Sequence, residues 1–243
     1  VPTHLMGTDA FQEVDVFGMS LPIVKHSFVV RRTEDIVATV REAFAIAAEG
    51  RPGPVLIDLP KDVTVAKARS RASTRIEQHP GAPHGRDIAQ ARALLAAAQR
   101  PVIYAGGGVG IAHAEAALQK FHHVTRAPAV CTLKGLGGVD ANDPLYLGML
   151  GMHGNQAANF AVDEADLLIV VGARFDDRAT GKLDTFAPKA QVIHLDADAA
   201  EIGKLRRADV SLHGDLARSL DAIAMPLKSD PWRAHCQGLR AKH

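Results

Sequence analysis

Short, continuously apolar runs that end in glycine or aspartate, each separated from the next by a segment of helical period, constrain this chain more than any other feature. The clearest run is Leu167-Leu168-Ile169-Val170-Val171, ended by Gly172. A strand with one wet face alternates apolar and polar residues, whereas an unbroken run fits a strand covered on both faces, as in a parallel sheet. Similar runs are Val102-Ile103-Tyr104 ahead of Gly106-Gly107-Gly108, Ala129–Thr132, Val192-Ile193-His194-Leu195 ended by Asp196, and Val210-Ser211-Leu212 ended by Gly214-Asp215. Between them the spacing predicts helices from Asp87 (Ile88, Ala91, Leu94, Leu95, Ala98), near Ala112–His122 and near Gln156–Val162. This alternation predicts an α/β fold, a doubly wound parallel sheet, over residues 86–226.

Residues 1–64 read as the end of another α/β domain. Thr33 is placed as a helix N-cap, with Glu34 and Asp35 at the positive end of the helix dipole. Ile36, Val37, Val40, Ala43, Phe44 and Ala47 then form one apolar stripe, Gly50 stops the helix and Pro52 prevents its continuation. Val55–Leu59, between Pro54 and Pro60, reads as a strand buried on both faces. Both elements are expected to show apolar faces that a larger assembly covers. Residues 65–85, with Arg69, Ser70, Arg71, Pro80, Gly81 and Pro83, read as a linker. The segment from 227 to 243 is polar with helical character and is expected to begin a second linker.

Charge and cysteine content exclude several classes. Lys+Arg is 28 and Asp+Glu is 27, a net charge of +1, which argues against a dedicated nucleic-acid binder. No run of about 18 apolar residues offers a membrane span, and no signal peptide is visible. The chain opens on Val1 rather than Met, which suggests a piece of something longer. Cys131 reads as a buried thiol and Cys236 as part of a polar helix, unbridged, as suits a reducing cytoplasm. His122 and His123 are adjacent on a helix and do not face together, and no zinc, nucleophile-elbow or Walker pattern occurs, so no metal ligands are assigned.

The chemistry is expected where the strands end, because ligands of open parallel sheets bind beyond the carboxyl edge. Gly106–Gly108, Gly172-Ala173-Arg174, Asp196 and Gly214-Asp215 all fall there and together suggest a dinucleotide site. Glycines allow close backbone approach and carboxylates accept from ribose hydroxyls. The Rossmann fingerprint itself fits poorly: the third glycine position holds Ile111, and Asp196 lies far beyond the ~20-residue spacing of a ribose acid. A tight strand-to-helix turn explains the glycine run equally well. Arg174, Asp176, Asp177 and Arg178 follow a buried strand directly; they form either a surface turn of weak ion pairs or a grip on a phosphate or carboxylate. Met149–Gly154 places two methionines and His153 among glycines, either as core packing or as a cover for a flat ring.

Longer blocks carry a specific resemblance. Gly7-Thr8-Asp9-Ala10-Phe11-Gln12-Glu13, Lys25-His26, Gly50–Leu56 and Pro60-Lys61-Asp62 resemble the thiamine-diphosphate-dependent acetohydroxyacid synthases (acetolactate synthase, catalytic subunit). So do Tyr104–Val109, Thr132–Gly137, Leu147–Gly154 and Gly172–Arg178 with Thr180–Leu183.

The resemblance implies an enzyme that decarboxylates pyruvate on thiamine diphosphate and Mg²⁺. It joins the two-carbon unit to a second 2-ketoacid, pyruvate or 2-ketobutyrate, on the way to branched-chain amino acids. It implies 1–64 as the end of the pyrimidine-binding domain and 86–226 as a central FAD-binding domain. A diphosphate-binding domain would follow 227–243. Homodimers or homotetramers, with a small regulatory subunit, are also implied. Phe11 and Gln12 would lie beside the active site, Lys61 along its access channel, and Met152 and Arg178 at the second ketoacid. Arg51, Gly106, Gly107, Gly108, Thr132, Leu133, Leu150, Gly151, Met152, His153, Gly172, Ala173, Arg174, Asp176, Asp196 and Asp215 would contact FAD.

The family's activating glutamate and its Mg²⁺–diphosphate motif find no match in these residues. Another carboligase of the superfamily, such as glyoxylate carboligase, and a non-catalytic FAD- or NAD-binding module are the alternatives. The Phe11-Gln12-Glu13 block and Arg178 favour the synthase over the carboligase, and the first 64 residues, which a simple binding module would not need, favour it over the module. The 243 residues alone are therefore expected to make no acetolactate from pyruvate, even with thiamine diphosphate, Mg²⁺ and FAD added. A colorimetric acetoin assay checks this, and turnover would refute it.

Overall fold

The computed structural model describes residues 1–69, 81 and 83–243. Most of the expected 65–85 linker lies outside the described residues. The chain divides into two compact units, Val1–His79 and Pro80–His243.

In the first unit, strands β1 (His26–Val29) and β2 (Val55–Asp58) pair in parallel, with His26 opposite Val55 and Val29 opposite Asp58. Apolar period alone predicts only the second of these strands. Helix α1 (Ile36–Ala48) is close to the expected span and packs on β2. Thr33 does not cap it: the Thr33 hydroxyl donates to the Val63 carbonyl at 2.8 Å, and a short 3₁₀ turn, Thr33–Asp35, leads into the helix instead. Gly50 follows the helix at φ +55°, the left-handed position expected of a glycine stop. Burial on both faces does not hold for β2, which is half-buried along its whole length. In α1, Ala43 alone is buried and Phe44 is 74% exposed. The apolar faces of this unit are thus open, as expected.

The second unit carries six parallel strands: β3 (Pro101–Ala105), β4 (Ala129–Cys131), β5 (Tyr146–Met149), β6 (Leu167–Val171), β7 (Gln191–Asp196) and β8 (Val210–His213). Their order is β5-β4-β3-β6-β7-β8. The edge strand β5 has the sequence of a loop, because it is short and Gly148 at φ +93° interrupts its apolar pattern. Five longer helices accompany the sheet: α2 (Gly85–Ala97), α3 (Glu115–Thr125), α4 (Gln156–Glu164), α5 (Leu216–Ile223) and α6 (Asp230–Lys242). Helix α3 starts later than its apolar period suggests, because His113 takes φ +52° and breaks the chain between Gly108–Ile111 and Glu115.

The period of two sends alternate residues of each central strand to opposite faces. Ile103, Ala105, Leu167, Ile169, Val171, Ile193 and Leu195 meet α2, α3 and α5 through Leu95, Leu118, Phe121, Leu220 and Ile223. Val102, Tyr104, Leu168, Val170 and Val192 meet α4, α6 and the Phe175 loop through Ala161, Val162 and Trp232. Each fully buried aliphatic side chain contributes about 1.5–3 kcal/mol, so two such layers make this sheet the stable part of the chain. Helix α6 lies where the sequence suggests the start of a linker, yet it packs in the second layer. Trp232 and Cys236 are buried there, and the Trp232 indole N–H donates to the Pro101 carbonyl at 3.1 Å.

Among the described residues both cysteines are free and buried. Burial pushes the Cys131 thiol up to about 11 and the Cys236 thiol up to about 12, so both are packing groups.

The ends of strands β3 and β6 approach so closely that side chains are excluded. A Cβ at Gly106 would sit 2.3 Å from the Gly172 carbonyl oxygen and 2.6 Å from Ala173 Cα. Gly106→Ala is therefore expected to lower stability by about 3 kcal/mol through overpacking. Gly238 on α6 is the contrast, because a Cβ there would meet nothing within 4 Å. Gly238→Ala is expected to raise stability by about 0.5–1 kcal/mol through helix propensity. Urea unfolding midpoints of the two variants, moving in opposite directions from the parent, check both expectations.

Candidate functional site

The chain runs from β3 outward to β4 and β5 on one side, then returns to β6 and runs outward to β7 and β8 on the other. The reversal between β3 and β6 is the topological switch point, where open parallel sheets leave a crevice. Gly106, Gly107 and Gly108 end β3 there, and Gly172, Ala173 and Arg174 end β6. The two turns are joined backbone to backbone: Gly106 N–H donates to Val171 and Gly108 N–H donates to Gly172, each at 2.9 Å. Gly172 adopts φ +58° and its own N–H donates to Leu195 at 2.8 Å, which ties in β7. The tight-turn and the ligand readings of the glycine run are compatible, since the same close packing leaves Gly107 and Gly108 partly open at the rim.

The neighbouring loops complete the rim. Thr132 follows β4; its N–H donates to Ala105 at 2.9 Å and its hydroxyl accepts from Gly135 N–H at 3.2 Å. Leu133 beyond it is 68% exposed. In the loop after β5, Leu150 is buried and its N–H donates to Cys131, so it offers a ligand neither its side chain nor its N–H. Gly151 takes φ +97°, and a Cβ there would lie 2.5 Å from the Arg178 carbonyl oxygen. Met152 N–H donates to that same carbonyl at 3.0 Å, so Met152 and Arg178, far apart in the sequence, are stitched together. Met152 (62% exposed), His153, Arg174 and Arg178 all project from this rim. The exposed Arg178–Asp177 pair at 3.8 Å is a weak surface pair that leaves the guanidinium accessible.

Three carboxylates at the site also hold their own turns. Asp176 caps the short helix Asp177–Thr180 through Arg178 N–H at 3.2 Å, and Asp215 caps α5 through Arg218 N–H at 2.9 Å. Asp196 accepts from Asp198 N–H at 2.9 Å. Each turn hydrogen bond fixes the direction of a partly exposed carboxylate. Carboxylates at three strand ends, a guanidinium, open glycine backbone and exposed Leu133 and Met152 match the hydroxyl, phosphate and ring parts of a dinucleotide. The residues thus fit FAD. Among the described residues, no three or more His, Cys, Asp or Glu side chains are placed to hold a metal ion. The Mg²⁺–diphosphate group is not fitted by the residues described, and no step is assigned through it.

Two supports of this site escape a reading of the sequence. Asn159 on α4 grips Gly151 from both sides, accepting from its N–H at 2.8 Å and donating to its carbonyl at 3.1 Å. His194 on β7 bonds the Ala173 carbonyl through Nε2 at 2.9 Å; a carbonyl only accepts, so Nε2 carries the proton. Nδ1 is then a buried acceptor with no partner among the described residues, and the ring stands edge-on to Phe175 at 5.5 Å. A polar residue inside an apolar strand run is the one available signal for His194.

In the other unit, Phe11 is 89% exposed, and Gln12, Arg51 and Lys61 are exposed too. Gln12 holds φ +63°, a left-handed conformation that costs a non-glycine residue about 1–2 kcal/mol.

The family "Thiamine pyrophosphate enzyme, central domain" matches residues 88–223, more than half of the chain, and the chain belongs to that family. Within it, the chain is similar along its whole length to large subunits of acetolactate synthase. It is 55% identical over 244 residues to the acetolactate synthase isozyme 2 large subunit of Escherichia coli strain K12, which covers 100% of this chain and 44% of that protein. It is 53% identical over 226 residues to the acetolactate synthase large subunit of Parasynechococcus marenigrum, with 90% of this chain and 37% of that protein covered. A probable acetolactate synthase large subunit of Methanocaldococcus jannaschii is 46% identical over 228 residues, with 88% and 38% covered. The chain therefore spans less than half the length of these relatives.

Burial holds the His194 and His122 imidazoles below the ordinary histidine range, partly offset by Glu201 near His194 and by Asp143 near His122. A lowered folded-state value means that the unfolded chain binds more protons below about pH 6.5, so this contribution to stability is present above that pH and lost as pH falls. At pH 6.5, where an ordinary exposed histidine is half-protonated, the ring resonances of both are expected at neutral-imidazole positions. An NMR titration checks this; half-protonation of either ring at that pH would contradict the buried assignment.

Proposed function

We propose that this chain is part of the catalytic subunit of an acetolactate synthase, and that its switch-point crevice holds FAD. The observation that carries this reading is 55% identity along the whole chain to a large subunit of that enzyme, across both units. Thiamine diphosphate with Mg²⁺, when bound in the whole enzyme, supplies the decarboxylation of pyruvate and the transfer of the two-carbon unit to a second 2-ketoacid. Residues of this chain bind and orient. Residues at the ends of β3, β4, β6, β7 and β8 would hold FAD. The partly open Gly107 and Gly108 and the exposed Arg174 would meet its phosphates, with Gly106, Gly172 and Ala173 packed beneath them, and Asp196 and Asp215 would accept from its hydroxyls.

Met152 and Arg178 form one structural unit through the Met152 N–H and the Arg178 carbonyl. Arg178 offers paired donors at fixed charge to the carboxylate of the acceptor, pyruvate or 2-ketobutyrate, while Met152 packs on its alkyl part. Phe11, Gln12 and Lys61 line the approach to the reacting centre, and Arg51 contacts FAD. The reaction leads to branched-chain amino acids in the cytoplasm. The working enzyme is a homodimer or homotetramer that takes a small regulatory subunit; no membrane or nucleic-acid contact is needed.

The test uses the full-length enzyme. It is expected to convert pyruvate to acetolactate, with FAD bound at the rim described. Arg178→Ala is expected to raise the KM for the acceptor ketoacid at least about tenfold, the loss of one charge-assisted pair. Unchanged rates and an unchanged ratio of products from mixed pyruvate and 2-ketobutyrate would overturn the Arg178 assignment. Absence of acetolactate from the parent would overturn the activity.

A further inference from the structure

Gly7–Glu13 folds back on itself around one carboxylate. Glu13 Oε1 accepts from Gly7 N–H, and Oε2 accepts from Thr8 N–H at 3.2 Å and Ala10 N–H at 3.0 Å. Glu13 N–H in turn donates to the Ala10 carbonyl at 2.9 Å. Successive backbone N–H groups converging on one point form the kind of concavity that captures an external anion; here the anion is the chain's own. Backbone hydrogen bonds, those from Gly7 and Ala10 above all, hold the Glu13 carboxyl below the ordinary carboxylate range. The loop needs such a tie, because three of its residues have left-handed backbones: Gly7 at φ +77°, Asp9 at +57° and Gln12 at +63°. Two of these are not glycine, and the conformation persists only where surrounding bonds enforce it. Phe11, at the tip, packs on little of its own unit.

We propose that Glu13 is a positioning residue: its carboxylate clamps the Gly7–Ala10 backbone into the turn that presents Phe11 and Gln12, and through them it sets the rate of the reaction. The consequence for rate rests on the acetolactate synthase reading; the clamp itself does not. An exposed aromatic on an untied loop would lose much of its orientation, and misplacement by about 1 Å can lower a rate on the order of 10²-fold.

The experiment compares full-length Glu13→Ala, Glu13→Gln, the Phe11→Ala/Gln12→Ala pair and the combined triple variant with the parent. Deuterium exchange is followed on the peptide spanning 7–13, and kcat and KM for pyruvate are measured. Glu13→Ala is expected to speed exchange there and to lower kcat/KM about tenfold or more, with a melting temperature near that of the parent. Glu13→Gln, whose amide oxygen can still accept two of the three bonds, is expected to fall between the two. The triple variant is expected to be no slower than the Phe11→Ala/Gln12→Ala pair, because Glu13 acts through those residues.

Unchanged exchange in Glu13→Ala overturns the clamp. Faster exchange with kcat/KM within about twofold of the parent, or a further loss in the triple variant, overturns the positioning role. A fall in melting temperature beyond about 5 °C assigns Glu13 to stability instead. A parent that makes no acetolactate refutes the activity, not the clamp, which the exchange readings then decide.

Discussion

The contact on which the second unit depends is backbone against backbone. Gly106 and Gly108 at the end of β3 lie directly on Gly172 at the end of β6, with Gly108 N–H bonded to the Gly172 carbonyl. No side chain separates them, so the two central strands end at one level and their turns share one edge. The chain reverses its winding direction between these strands, the place where open parallel sheets bind their ligands. Everything assigned to the rim is referred to this contact: Thr132 is hung from Ala105, Leu150 from Cys131, and Gly172 itself from Leu195.

Polar groups below the rim turn a coarse scaffold into a defined surface. Asn159 takes both polar groups of Gly151, and the Arg178 carbonyl takes the Met152 N–H, so two loops from opposite sides of the sheet centre are tied together. His194 fixes the Ala173 carbonyl from beneath in a single tautomer. Burial also pushes the Tyr104 phenol far above its ordinary range, with the Asp176 carboxylate adding to the effect, so this ring packs neutral under Phe175. Asn159 and His194 act by holding backbone, while Arg174, Arg178, Met152 and His153 stay exposed on the rim.

The two units differ in how far their apolar pattern is satisfied. In Pro80–His243 nearly every central strand position is buried, and the helices on both faces supply the cover. In Val1–His79 the same grammar of helix and parallel strand leaves Phe44, Val37, Phe17 and Met19 exposed and β2 half-buried. A helix stripe and an unbroken apolar run state that a face is to be buried, but not whether the described residues include what buries it. Val55–Leu59 was legible as a strand for this reason, and its two-sided burial was not.

Strands β3, β4, β6, β7 and β8, their parallel winding and the placement of glycines and aspartates at the strand ends were determined by the sequence alone, because local period and strand length decide them. Gly106–Gly108, Gly172, Asp196 and Asp215 are legible as strand-end residues from the apolar runs that precede them. Edge strand β5, the buried face of α6 and the grips of Asn159 and His194 were decided only by tertiary structure. Most join residues far apart in the chain: Trp232 meets Pro101, and His194 meets Ala173, whereas Asn159 reaches only eight residues back to Gly151. The same holds for the union of Met152 with Arg178. Spacing along a sequence records which groups can face one way; which carbonyl lies within hydrogen-bond reach of them follows only when the sheet is assembled and the layers close.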